Sequence, residues 1–167
     1  MIYKFDKNYT VIALITTGFS PPLSHVIEIA AIKFRAEKEI NLYQTLVKPP
    51  KKIPYVIECL TEINNEMVKN SPTFDEIIDD VKNFFEDDIL VGHNLKIDIK
   101  FLPDFKNNFI DTLQLALKLI PNLKSVGYGL KDLCGYFKIP PPLNYRAMDF
   151  CLSTEKIFKL LQLNNPD

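Results

Sequence analysis

The stretch from Thr10 to Phe34, TVIALITTGFSPPLSHVIEIAAIKF, constrains the fold more than any other part of the chain. Its two arms, Val11–Thr16 and His25–Phe34, are continuous β-branched and apolar runs. Between them lies Gly18-Phe19-Ser20-Pro21-Pro22, a sequence that stops both strands and helices. The arms therefore read as two strands joined by a tight connection. Ile40–Val47 alternates well enough to add a third strand, which makes an antiparallel meander. Pro49, Pro50 and Pro54 end it, because proline cannot continue a hydrogen-bonded ladder.

Helices and short strands alternate beyond that point. Short helical pieces are predicted at Tyr55–Leu60 and Asn64–Val68. Ser71-Pro72-Thr73 starts a helix on which Phe74, Ile77, Ile78, Val81, Phe84 and Phe85 recur at helical spacing, with Asp75, Glu76, Asp79, Asp80 and Lys82 opposite. Ile89-Leu90-Val91 has the fully apolar character of a buried parallel strand. Leu95–Leu102 reads as a helix closed by Pro103, and Phe109-Ile110 as another strand. Asp111 fits the N-cap of a helix over Leu113–Ile120. Helices over Tyr128–Phe137 and from Tyr145 to Leu161 complete the chain. Strands that first form a meander and then alternate with helices imply an α/β fold, a mixed sheet with helices on both faces.

A length of 167 residues suits a single domain spanning 1–167 with a proper core, and no repeat or linker divides it. The formal net charge of −1 offers no global basic field to concentrate nucleic acid, so any such partner must be held by a local groove. Cys59, Cys134 and Cys151 lack paired spacing and read as reduced core thiols; with two histidines in the chain, a zinc site is not expected. MIYKFDKNYT has no long apolar run, and no later segment is long and uncharged enough to span a membrane. These features predict a soluble, cytoplasmic protein without a membrane partner.

Three motifs carry a family resemblance. ITTGFSP followed by VIEIAAIKF resembles the opening of the DnaQ-like (DEDDh) 3′–5′ exonucleases, the family of the polymerase III proofreading subunit and ribonuclease T. VGHNLKIDIKFL (Val91–Leu102) is similar to that family's V-G-H-N-x-x-F-D-x-x-F-L. The segment from Tyr145 to Cys151, YRAMDFC, is similar to its H-R-A-L-x-D-A. The resemblance covers about residues 9–160 and implies a ribonuclease H-like fold. It also implies two-metal hydrolysis of a terminal phosphodiester, with four carboxylates holding the ions and a histidine as base.

This sequence departs from that pattern at most of the reacting positions. The opening D-x-E becomes Ala13 and Ile15, on the same face of the strand as the carboxylates they replace. The base position holds Tyr145 and the last ligand position Phe150. Asp98 is the one clear match to a family carboxylate. A rival register, Y-x-x-x-D, pairs Tyr145 with Asp149 and would leave two of the four carboxylates. Glu28 matches a glutamate common in the family's second strand. Neither register builds a two-metal site, so no metal cofactor is expected, and Asp98 is at most a weak ligand of a single ion. Mg²⁺ or Mn²⁺ would be required if the chain were active.

The resemblance leaves a binding surface. Thr16, Thr17 and Gly18 would face a terminal nucleotide through their backbone, with His93 and Asn94 shaping the site. Cations and aromatics are available in KPPKKIPY (Lys48–Tyr55) and at Tyr145-Arg146. Three readings follow. The first is an inactive exonuclease-like domain that binds a single-stranded DNA or RNA 3′ end or a protein such as a polymerase. The second is an active exonuclease with a rearranged site around Asp98, Asp149 and Glu28. The third is a structural or regulatory subunit that has lost nucleic acid.

Overall fold

A computed structural model describes residues 8–125 and 127–163. Residues 1–7, on which the reading of the N-terminus rests, lie outside the described residues. The order of elements is β1 (Tyr9–Thr16), β2 (Val26–Arg35), β3 (Lys38–Leu46), α1 (Tyr55–Thr61), α2 (Asn65–Val68), α3 (Phe74–Phe85), β4 (Ile89–Gly92), α4 (Leu95–Asp98), β5 (Phe109–Asp111), α5 (Thr112–Leu119), α6 (Leu130–Tyr136) and α7 (Ala147–Leu163). The sheet has five strands in the order β3-β2-β1-β4-β5. β1–β2 and β2–β3 are antiparallel, whereas β1–β4 and β4–β5 are parallel. The mixed sheet expected from the sequence is therefore present.

Helices cover both faces. Val11, Ala13 and Ile15 of β1 share one core with Leu133, Cys134, Cys151, Ile157 and Phe158, which belong to α6 and α7. Ile12 and Leu14 point the opposite way, into a second core built with Ile77, Val81 and Phe85 of α3. This alternation is the period-two geometry of a strand buried on both sides. α3 begins just after Thr73, where the sequence places a helix start, and the Thr73 N–H and hydroxyl both donate to the Glu76 carboxylate at 2.7 and 2.9 Å.

A bulge in β2 shapes the site. Ile15 pairs with Glu28, but Thr16 pairs with Val26, which leaves Ile27 as an extra residue. The extra residue re-aims the strand, so Ile27 and Glu28 both serve the α7 side of the sheet.

Two expected helices are shorter than the sequence suggests, and a third is displaced by two residues, ending at Leu163 rather than Leu161. Leu95–Leu102 divides into the single turn of α4 and a 3₁₀ turn over Ile99–Phe101. α6 starts at Leu130 rather than Tyr128, because Gly127 has φ +112° and the Gly129 N–H donates to Asp132. α7 starts at Ala147 rather than Tyr145. The Asp149 carboxylate accepts from both nitrogens of Asn144, at 3.0 and 3.1 Å, and holds the preceding residues in a turn. The expectation for the cysteines fails at Cys59, which is exposed on the outer side of α1; Cys134 and Cys151 are buried. No helix among the described residues is long and apolar enough to cross a membrane.

Gly92 ends β4 where the backbone passes closely over its neighbours. A Cβ there would lie 2.8 Å from Leu95 Cδ1 and 3.2 Å from the Ile12 carbonyl oxygen. Gly92→Ala is expected to lower stability by about 2 kcal/mol, the cost of forcing a methyl into packed surroundings. Urea denaturation that left the midpoint unchanged would contradict this.

Candidate functional site

β4 pairs with β1 only from Tyr9 to Val11 and then turns away at Gly92. From Ile12 onward β1 keeps its β2 partner but loses a strand on its other side. The chain leaves β1 toward β2 in one direction and returns as β4 in the other, and a cleft opens at the carboxyl ends of the two parallel strands. The cleft encloses about 500 Å³.

Distant parts of the sequence meet there. β1 contributes Ala13, Ile15 and Thr16, and the following turn contributes Gly18 and Phe19. The segment after β4 contributes His93, Asn94 and Asp98. Tyr145, Phe150 and Thr154 close the wall from α7 and the loop before it. The Tyr145 and Phe150 rings meet edge to face with centroids 4.7 Å apart. Phe150 lines the cleft and Asp149 does not, because Asp149 is occupied by Asn144.

Several residues lie differently from the sequence reading. Thr17 is absent from the cleft wall. Its N–H donates to the His25 carbonyl and its hydroxyl accepts from the His25 N–H, both at 2.9 Å, so it closes the β1–β2 connection. Arg146, read as a cation available to a ligand, is committed to Glu28. Its Nε and a terminal nitrogen reach the carboxylate at 3.0 and 2.6 Å, and the Ala147 N–H and the Gln44 amide add bonds at 2.9 and 3.1 Å. Glu28 is fully buried and lies outside the cleft wall, so it ties β2 to the start of α7 rather than adding a carboxylate to the site. Lys48, Lys51, Lys52 and Tyr55 are exposed and likewise do not line the cleft.

The sequence reading missed Ile57 and Leu60 of α1, Ile97, and Leu130, all of which face the cavity. Leu60 is half exposed and Phe19 three-quarters exposed. The apolar residues of a short helix otherwise exposed to solvent were the available signal for the α1 pair.

The electrostatics follow from burial. Asp98 accepts a long hydrogen bond from the Leu14 N–H, 3.4 Å, at the unpaired side of β1. Burial pushes its carboxyl up to about 7, and the Asp111 carboxylate adds to the rise against the pull of that backbone bond. Burial also holds the His93 imidazole below its ordinary value, and its Nδ1 lies 2.9 Å from the Thr112 hydroxyl. Asp111 caps α5 by accepting from the Leu113 N–H at 3.0 Å and also accepts from the Asn94 N–H at 2.9 Å, fixing the loop that carries His93 and Asn94.

These residues do not fit a pair of divalent ions. Asp98 is the one carboxylate among the described residues that line the cleft. No group of three or more His, Cys, Asp or Glu side chains among the described residues is arranged to hold a metal. Hard cations require several converging oxygens.

Comparison with known proteins identifies the family and the fold. A family model described as "Exonuclease" (RNase_T) matches residues 16–158. The chain is 35% identical to DNA polymerase III subunit epsilon of Aquifex aeolicus, over 94% of this chain and 82% of that protein. It is 34% identical to DNA polymerase III PolC-type of Clostridium perfringens, over 93% of this chain but 11% of that one, so it spans about a tenth of the length of this PolC-type relative. Among solved structures, Exonuclease X in complex with 5′ overhanging duplex DNA superposes with a TM-score of 0.79 at 24% identity, covering 93% of this chain and 91% of the other. The nuclease domain of 3′hExo, a DEDDh family member bound to rAMP, gives 0.81 at 14% identity, covering 97% and 95%. The fold is thus the ribonuclease H-like fold of DEDDh exonucleases, and this chain belongs to the exonuclease family.

Proposed function

We propose that this chain is an exonuclease-family domain that binds at its cleft without hydrolysing a phosphodiester. The observation that carries this reading is the cleft wall itself. Of the five positions at which the family resemblance puts reacting groups, Ala13, Ile15, Tyr145 and Phe150 hold no carboxylate or imidazole, and Asp98 stands alone. Hydrolysis of this kind uses two ions about 3.5–4 Å apart, fixed in line with the attacking and leaving oxygens. A single aspartate does not supply the several converging oxygens that two hard ions require. Among the described residues lining the cleft, Asp98 is the one carboxylate left to anchor the ions whose charge supplies the electrostatic stabilisation in such catalysis.

Two of the relatives are named as DNA polymerase III chains. A single-stranded DNA or RNA end, met in the company of a polymerase subunit, is the partner most consistent with that kinship. The rearranged active site around Asp98, Asp149 and Glu28 has less support, since Asp149 and Glu28 are engaged away from the cleft.

The test is incubation of pure protein with 3′-end-labelled single-stranded DNA and RNA in Mg²⁺ or Mn²⁺, beside an EDTA control. The label is expected to survive in every lane, with a mobility shift on a native gel. Metal-dependent loss of label that follows the protein peak would overturn the reading. Intact label with no shift would favour a protein-binding subunit instead.

A further inference from the structure

We infer that the outer edge of β3 is a docking surface for the same edge of a second copy of this chain, and that two side chains, Asn41 and Thr45, hold it closed. β3 ends the sheet, and among the described residues no strand pairs with its outer side. Lys38–Leu46 contains no proline, and every residue in it is at least partly exposed. A strand of that kind presents a row of free backbone groups to any other strand.

The hydrogen bonds show which groups face outward. Val47 pairs inward, its N–H donating to the Ile27 carbonyl at 2.9 Å. By alternation along an antiparallel ladder, the backbone groups of Tyr43 and Thr45 also face β2, whereas those of Leu42, Gln44 and Leu46 face away. Lys48 agrees with that direction, since its N–H leaves the ladder for the Pro72 carbonyl at 2.8 Å and closes the edge beyond Leu46. On the open stretch, two outward groups are covered from within the strand. The Leu42 N–H donates to the Asn41 side-chain oxygen, and the Thr45 hydroxyl donates to the Leu46 carbonyl, both at 2.9 Å. Each cover has to swing aside before a second strand can bond there.

The occupant follows from the strand's own sequence. Ile40 and Leu42 are more than half exposed, although Ile32, opposite Leu42 on β2, is buried. Antiparallel pairing about a two-fold axis at Leu42 sets the Leu42 side chains of two copies against each other. Ile40 then lies opposite Gln44, and the strand's two charges, Lys38 and Glu39, fall opposite Leu46 and Thr45. No like charges meet, so the edge is complementary to itself. The Leu42 N–H that Asn41 covers lies at the centre of that pairing.

Sedimentation velocity of the full chain across a micromolar concentration series tests this. The unaltered chain is expected to stay monomeric. Asn41→Ala removes one cover while adding little apolar surface. It should dimerise at least about tenfold more tightly than the unaltered chain, since the freed Leu42 N–H gains a partner only in the dimer. Thr45→Val uncovers the Leu46 carbonyl at nearly constant shape and should act in the same direction as an independent variant. Adding Leu42→Lys to either, at an exposed position where the fold tolerates it, should restore the monomer, because two ammonium groups then meet at the axis. A dimer of the unaltered chain at the same concentrations would overturn the guard. Monomers of both Asn41→Ala and Thr45→Val would overturn the docking surface. A dimer that survives Leu42→Lys would lie on another surface and overturn the inference as a whole.

Discussion

Arg146→Ala is expected to destabilise the fold by about 3–5 kcal/mol, the usual consequence of stripping one partner from a buried ion pair. Glu28 is fully buried, and the guanidinium is its one ionic partner among the described residues. Without it, the carboxylate keeps only the Ala147 N–H and the Gln44 amide. A melting temperature lower by about 10 °C or more would accompany a loss of that size in a chain of this length. Glu28→Gln should cost less, because the Arg146 side chain is 30% exposed and water can solvate the orphaned guanidinium. Such losses measure an uncompensated charge rather than the net worth of the pair, since two well-packed apolar residues can serve as well. Urea unfolding of both variants is the measurement. An Arg146→Ala loss below about 1 kcal/mol, the surface-pair range, would show that this pair is not a structural tie.

Asp98→Asn is expected to do the reverse and stabilise the protein at pH 8. Burial raises the Asp98 carboxyl from 3.8 to about 7 in the folded chain, so folding takes up a proton there. The stability that goes with the neutral acid is complete below about pH 4 and is lost as pH rises through 7. At 1.36 kcal/mol per pH unit the full gap corresponds to about 4 kcal/mol, and partial water access to the side chain reduces the expected gain to about 2 kcal/mol. The asparagine amide oxygen can still accept the Leu14 N–H. Thermal melts of both proteins at pH 4, 6 and 8 should show a gap that opens with pH. A gap of the same size at pH 4, or none at pH 8, would contradict burial as the cause.

The parts of the fold that could be read from the sequence are those set by local pattern. β1 and β2 follow from unbroken β-branched runs, and α3 from an apolar stripe behind the Ser71-Pro72-Thr73 start. The apolar residues of Leu95–Leu102 have helical spacing, yet the segment is divided. Asn94 lies in the left-handed region at φ 57°, and the chain tightens to a 3₁₀ turn after Asp98, which local spacing does not reveal. The cleft was legible where ordered motifs carried it: Ala13, Ile15, Asp98, Tyr145 and Phe150 do converge. Its remaining wall was not, because Ile57, Leu60 and Leu130 reach it through tertiary packing. The fate of Arg146 could not be read either. Its partner is 118 residues away and faces it only because a bulge turns the strand.

The early departure of β4 from β1 also bears on how the sheet breathes. The Leu14 N–H points into the cleft toward Asp98, so by alternation the Ala13 and Ile15 N–H groups point at β2. A strand in the middle of the sheet thus has one flank paired by β2 and one flank that lines the cleft without a strand partner. Hydrogen exchange along β1 should therefore alternate residue by residue beyond Val11, slow where β2 holds the amide and fast where the cleft does. The most deeply placed strand of the molecule is, over its last turns of sequence, also an edge.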